Sequence, residues 1–286
     1  MQNAMNTKIV YSEKCLGYGT WHIEGPQRVK IASEVLKAKG YEFIEPTTAT
    51  EDQISAVHDM EYIWNVKKGL VEDSDTPAYD KIFDYASLSA GAAILAAKIN
   101  GFSITRPPGH HVGKYGAALG VYTRGFCYFN NIAIAIKELD KKTLILDIDG
   151  HHGNGTQEVF LGDETITFIS LHQTPNYPGT GLTTESNCIN YPLPQDVGGK
   201  RFLKALDEAL NLVDAGKFEV LAVSAGFDTH KCDLATLGLV EQDFFEIGKR
   251  IAKINLPAFW VLEGGYNGQN VGTDIDMLLR GYEENR

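Results

Sequence analysis

Short apolar runs separated by amphipathic stretches leave this chain few folds to choose from. The runs are Ile9 to Tyr11, Phe102 to Thr105, Thr143 to Ile148, Thr165 to Leu171, Val220 to Ser224 and Ala258 to Leu262. Most are rich in β-branched or aromatic residues, as strands buried on both faces require. Helical periodicity marks Gln27 to Ala38, Ile82 to Lys98, Asn131 to Leu139, Arg201 to Ala215 and Gln242 to Ile254. Thr50 with Gln53 forms a capping-box pattern that opens a further helix. Strands alternating with helices are joined by crossovers, which predicts an α/β fold with a mainly parallel sheet flanked by helices on both faces. No repeat, low-complexity tract or linker divides the 286 residues, so a single domain over 1–286 is expected.

Ligands of such sheets gather beyond the carboxyl ends of the strands. This chain puts its unusual polar residues there. Arg106-Pro107-Pro108-Gly109-His110-His111 follows the second run, Asp147-Ile148-Asp149-Gly150-His151-His152 ends the third, Asp228 lies beyond the fifth, and Glu263-Gly264-Gly265-Tyr266 follows the sixth. Asp147, Asp149 and His151 alternate with Ile148 and Gly150, so a strand period of two points all three to one side.

A catalytic zinc takes three nitrogen or oxygen ligands and keeps a position for water. Asp149 and His151 are candidates for two ligands and Asp228 for the third. Two carboxylates and one imidazole make a hard site, so iron(II) or another divalent metal is the alternative. Aspartates at strand ends commonly cap turns, but two flanking Ile148 at the end of an apolar strand are costly to bury without a cation. His110 and His111 sit on a loop stiffened by Pro107 and Pro108, a good mount for moving a proton to and from water. Tyr266 can donate its hydroxyl to an oxyanion. For the histidines and the tyrosine, hydrogen-bonded structural roles stand beside these chemical ones. Together the residues point to a metal-dependent hydrolase acting on an amide bond.

Composition narrows the partners. The formal net charge of -11 disfavours nucleic acid or an anionic membrane as a direct partner, because both are bound through clustered Lys and Arg. Cys15, Cys127, Cys188 and Cys232 form no Cys-x-x-Cys pair, which suggests a reducing compartment. Met1 to Val10 lacks the pattern of a secretory leader, and a soluble cytoplasmic protein is expected.

The combined motifs resemble the histone deacetylase and acetylpolyamine amidohydrolase superfamily, whose fold arginases share more distantly. The resemblance runs from Glu24-Gly25-Pro26-Gln27-Arg28 through Arg106 to His111, Gly125-Phe126-Cys127-Tyr128-Phe129-Asn130-Asn131 and Asp147 to Gln157, to Asp228 and Glu263 to Tyr266. It is closest in flavour to class II and bacterial or archaeal members. It implies zinc on Asp149, His151 and Asp228, with His110 and His111 beside the metal-bound water and Tyr266 polarising the amide carbonyl. It also implies that Asp147 orients His110 and Asn154 supports His111. A potassium ion is implied at Asp147, Asp149, His151, Ser170 and Leu171, partly through backbone carbonyls. Phe126 and Tyr177, with Gly265 and Asp75, are implied to line a narrow tunnel around the methylene stem of an acylated lysine.

Two departures stand out. Thirteen residues, Val112 to Arg124, separate His111 from Gly125, a longer connection than the family suggests, able to form a lid, reshape the mouth or meet another subunit. Ala235 stands where polyamine-selective relatives carry an acidic residue, although Asp73 or Asp75 remains available to a cationic amine at the rim. The expected activity is removal of an acetyl or other acyl group from an amine, foremost acyl-lysine on a protein or peptide. Rival readings are deacetylation of acetylpolyamines or other small amides, an arginase-like two-manganese hydrolase, and a catalytically silent acyl-lysine binding module. Oligomeric state is left open.

Overall fold

Alternate residues of the central strands point into two separate hydrophobic cores, as the two-residue period of a doubly covered sheet demands. In the computed structural model, which describes residues 7–286, the strands are β1 (Ile9–Val10), β2 (Phe43–Ile44), β3 (Phe102–Ser103), β4 (Val112–Gly113), β5 (Gly116–Ala117), β6 (Thr143–Asp147), β7 (Ile166–Gln173), β8 (Cys188–Leu193), β9 (Val220–Ala225) and β10 (Ala258–Leu262). Part of the segment read above for a leader, residues 1–6, lies outside the described residues. Eight strands form one sheet in the order β2-β1-β3-β10-β9-β6-β7-β8, with every pairing parallel, while β4 and β5 make a separate antiparallel hairpin.

The helices are α1 (Gln27–Ala38), α2 (Glu51–Ser55), α3 (Met60–Lys67), α4 (Ile82–Ile99), α5 (Asn131–Leu139), α6 (Asn154–Phe160), α7 (Gly199–Asn211), α8 (Glu241–Ile254) and α9 (Gly268–Glu283). One core packs Leu144, Leu146, Leu221, Val223 and Trp260 against α1, α7, α8 and α9. The other packs Ile145, Ala222, Phe259 and Val261 against α3, α4 and α5. The expected α/β class and parallel sheet are therefore present, and Thr50 and Gln53 close a reciprocal capping box at the start of α2.

Elements missing from the sequence reading are β2, β8, the β4–β5 hairpin, α3, α6 and α9. Edge strand β8 tolerates Pro192 because its outer side needs no ladder bond. The helix expected over Arg201 to Ala215 runs instead from Gly199 to Asn211, and Asp214 caps a separate short turn.

Candidate active site

Strands β6, β9 and β10 lie side by side, with Asp147 opposite Ser224 and Leu262 opposite Ala225, so the residues beyond their ends emerge together. Strand β6 ends at Asp147. The convergence of Asp149 and His151 comes from the turn that follows, fixed by the Asp149 N–H donating to Asp147 Oδ1 at 3.0 Å, and not from strand alternation as the sequence suggested.

The carboxylates of Asp149 and Asp228 are held by main chain from other segments. Asp149 Oδ2 accepts from Gly264 N at 2.7 Å, and Asp228 Oδ1 accepts from Gly150 N at 2.8 Å. A side chain at Gly264 would bring its Cβ within 2.5 Å of Asp228 Oδ2, so only glycine allows this approach. Ligand atoms of Asp149, His151 and Asp228 lie within 4.8 Å of one another. His151 Nδ1 is 2.8 Å from Asp228 Oδ2, yet that buried oxygen has no aligned hydrogen bond among the described residues. His151 Nδ1 also lies 3.3 Å from Asp149 Oδ1, so the three groups face a common point, and a divalent cation fits there.

The electrostatics favour the same occupant. Burial and the neighbouring Asp149 push the Asp228 carboxyl up to about 6. Burial opposes charge on His151, but Asp228 and Asp149 override it and push the imidazole up to about 10. Among the described residues, the ion-pair partners of Asp147, Asp149 and Asp228 are His110 and His151 alone, which leaves buried negative charge in excess.

His110 and His111 are buried side by side, with ring centroids 4.0 Å apart, and their environments separate them. His110 Nδ1 donates to Asp147 Oδ2 at 3.0 Å. Against the opposing effect of burial, Asp147, Asp149 and Glu263 push His110 up to about 10. Burial, with His110 and His151 nearby, holds His111 well below the usual imidazole value. Asn154 Nδ2 donates to Ala118 O at 3.0 Å, which turns Asn154 Oδ1 toward His111 Nδ1 at 2.8 Å. An amide oxygen only accepts, so His111 carries its proton on Nδ1 and keeps Nε2 free to take another.

Tyr266 follows a turn gripped by Arg28, which donates from Nε to Gly265 O at 2.6 Å and from Nη2 to Glu263 O. The Arg28 guanidinium lies 5.2 Å from the Tyr266 ring, and Tyr266 N donates to Asp233 Oδ2 at 2.8 Å. Burial, then Asp228, raises the phenol well above its usual value, so it stays a donor. The Phe126 ring meets Tyr266 edge-on at 5.8 Å, and the Tyr177 ring meets His111 at 5.0 Å. Phe126 has a left-handed backbone with φ 70, a conformation that neighbours must impose. Three successive amides are caught to impose it: Arg124 N by Asp73 Oδ2, Gly125 N by Asp75 Oδ1 and Phe126 N by Thr76 Oγ1. Tyr177 rides a loop anchored where His152 Nδ1 accepts from the Thr180 hydroxyl at 2.8 Å and His172 Nε2 donates to Gly181 O at 3.0 Å.

Residues 22–282 match the model of the histone deacetylase domain. The chain belongs to the histone deacetylase family. It is 36% identical over 302 residues to a probable deacetylase of Archaeoglobus fulgidus, covering 92% of this chain and 82% of that protein. It is 36% identical over 198 residues to acetylpolyamine amidohydrolase 1 of Pseudomonas aeruginosa, a match spanning 64% of this chain and 55% of the relative. The crystal structure of the HDA15 HD domain superposes with a TM-score of 0.86 at 27% identity, covering 96% of this chain and 88% of that one. Membership of this deacetylase family supports hydrolytic amide deacetylation.

Within this histone deacetylase family member, the Val112 to Arg124 segment is packed into the site. It holds the β4–β5 hairpin, Ala118 carries the carbonyl that orients Asn154, and Thr123 O accepts from the Tyr177 hydroxyl at 3.2 Å. Asp73 is paired with Arg124 at 2.8 Å, and Asp75 Oδ1 is occupied by Gly125 N and the Thr76 hydroxyl. Ala235 is fully buried against Gly150, beneath the ligand turn. Ser170 and Leu171 are buried on β7, Ser170 pairs in register with Asp147, and its hydroxyl bonds His172 Nδ1. Arg28 and Glu263 stood inside quoted motifs without a role. Arg28 pairs with Glu24 Oε1 at 3.3 Å, an i,i+4 spacing visible in the sequence, but the partners that tie Arg28 and Glu263 to the site are backbone atoms distant in sequence.

Proposed function

We propose that this chain is a zinc-dependent amidohydrolase that removes an acetyl or other acyl group from an amine nitrogen, with acyl-lysine on a protein or peptide as its substrate class. The observation that carries this reading is the contrasting hydrogen bonding of two adjacent histidines beside three converging metal-ligand side chains: His110 Nδ1 on the Asp147 carboxylate, His111 Nδ1 on the Asn154 amide oxygen with Nε2 free. Zinc held by Asp149, His151 and Asp228 would polarise the acyl carbonyl and make the attacking water more acidic. His111 Nε2 takes the proton from that water and later gives it to the leaving amine. His110, kept as imidazolium by Asp147, stabilises negative charge as the carbonyl carbon becomes tetrahedral. Tyr266 donates its hydroxyl to the same oxygen. Phe126 and Tyr177 supply aromatic walls suited to a methylene stem.

The same reading assigns potassium to Asp147, Asp149, His151, Ser170 and Leu171, where it offsets buried carboxylate charge, and places the protein in the cytoplasm. Acetylpolyamine hydrolysis is the second reading, favoured by the Pseudomonas aeruginosa relative. It ranks lower because Asp73 is already paired with Arg124, and an oxygen of Asp75 is engaged by Gly125.

The test is hydrolysis of acetyl-lysine peptides, longer acyl-lysine peptides and acetylpolyamines, before and after chelation and with zinc or iron(II) restored. We expect turnover of acyl-lysine peptides that chelation abolishes and zinc restores. Turnover confined to acetylpolyamines would overturn the substrate class. Binding of acyl-lysine without turnover by metal-loaded protein would leave the silent binding module standing.

A further inference from the structure

Glu263 is fully buried at the end of β10, three residues before Tyr266, and so far it figures only as one of three charges near His110. Its Oε2 accepts from two successive amides of another loop, Gly109 N at 2.7 Å and His110 N at 3.1 Å. Two adjacent N–H groups directed at one oxygen fix the peptide plane between them and the direction in which the His110 side chain leaves the backbone. The main chain of Glu263 is fixed as well: its N–H donates to Ala225 O at 3.0 Å, and its carbonyl accepts from Arg28 Nη2. On the opposite side the loop cannot retreat, since an added Cβ at Gly109 would lie 2.5 Å from Asn131 N and 2.6 Å from Phe129 O.

We propose that Glu263 is a positioning residue that sets the His110–His111 loop at a fixed distance from the Tyr266 turn. A proton acceptor and an oxyanion donor must meet one carbonyl group from two sides, and these come from loops after β3 and after β10. Glu263 is the side chain that spans them, with its backbone in the tyrosine strand and its carboxylate on the histidine loop. An apolar residue of similar size would spare the cost of burying a carboxylate, so a geometric role explains why the acid is there. The positioning role needs an acceptor oxygen and not a charge, and Asp147 and Asp149 remain to hold the His110 proton when the Glu263 charge is removed. Glutamine can present its oxygen to both amides and its NH2 group to Ser224 Oγ, which lies 3.5 Å from Glu263 Oε1.

The inference rests on the proposed deacetylation, and the test separates the two. Glu263→Met keeps volume and packing but has no acceptor, whereas Glu263→Gln restores one. With rates normalised to folded, zinc-loaded protein, Glu263→Met is expected to lower kcat by about 10², the scale of a misplaced catalytic group, and to leave KM within about threefold. Glu263→Gln should recover at least about tenfold of that loss. A crystal structure of Glu263→Met should show residues 106–111 displaced while Asp149, His151 and Asp228 stay in place. Wild-type kcat in Glu263→Met, or an unmoved loop in its structure, overturns the inference. If the wild-type enzyme hydrolyses no amide, the proposed function fails, and the loop position in the Glu263→Met structure still decides the positioning role.

Discussion

Which nitrogen of His111 is free depends on an amide whose own orientation is set by a backbone carbonyl, Ala118 O. The identity of Asn154 was legible as part of the His-His-Gly-Asn-Gly string. The direction of its amide was not, because Ala118 lies in a segment that the family pattern does not cover. Glu263 and Arg28 were illegible for a related reason: Glu263 meets amides 153 and 154 residues away, and Arg28 meets Gly265 O across 237. No side-chain pattern records a partner that is main chain. Tyr266 was legible through the company of the other motifs, since a tyrosine after two glycines is by itself commonly structural. Because its ring is packed by Phe126 and Arg28, Tyr266→Phe should preserve the melting temperature and lower kcat by about 10², the usual scale for losing an oxyanion donor. Unchanged turnover in steady-state kinetics would remove the tyrosine from the mechanism.

Long strands buried throughout and helices with a regular apolar face could be read directly; short elements and those shaped by a neighbour could not. Every residue of β6, β9 and β10 is buried, and each gave a continuous apolar run. Helix α9 was missed because Gly268, Gly272 and Gly281 depress helix propensity. The structure gives their reason: a Cβ at Gly272 would lie 2.7 Å from Val35 Cβ, and one at Gly281 would overlap the Phe245 carbonyl oxygen. These glycines let α9 press against α1 and α8. Gly281→Ala should therefore destabilise the protein by about 2 kcal/mol, overpacking outweighing the roughly 1 kcal/mol gained in propensity. A melting temperature equal to or above wild type would contradict this close approach.

Over the whole molecule, a parallel sheet with polar clusters at one edge was predictable from chain order, but the neighbours of each strand were not: β10, last in sequence, lies between β3 and β9. Such long-range pairing also buries groups that serve no site. Asp274 on α9 has no exposed surface, and among the described residues neither carboxylate oxygen has a hydrogen-bond partner. Burial, reinforced by Glu241 and Asp233, pushes its carboxyl up to about 8. An aspartate in the unfolded chain ionises near 4. Folding thus favours the protonated form, and this contribution to stability is complete below about pH 4 and lost as pH rises toward 8. Asp274→Asn should melt close to wild type at pH 4.5 and be more stable by on the order of 2 kcal/mol, a few degrees, near pH 8.5. Parallel pH–stability curves for the two proteins would refute this.

The segment after His111 touches the chemistry twice, through Ala118 on the amide that sets the free imidazole nitrogen and through Thr123 on the hydroxyl of Tyr177. Under the proposed mechanism, acyl-group scope and turnover are therefore mechanically linked. Diversifying this stretch in a selection for bulkier acyl groups would also disturb proton transfer, and variants that widen the entrance while holding Ala118 still would be the ones to survive.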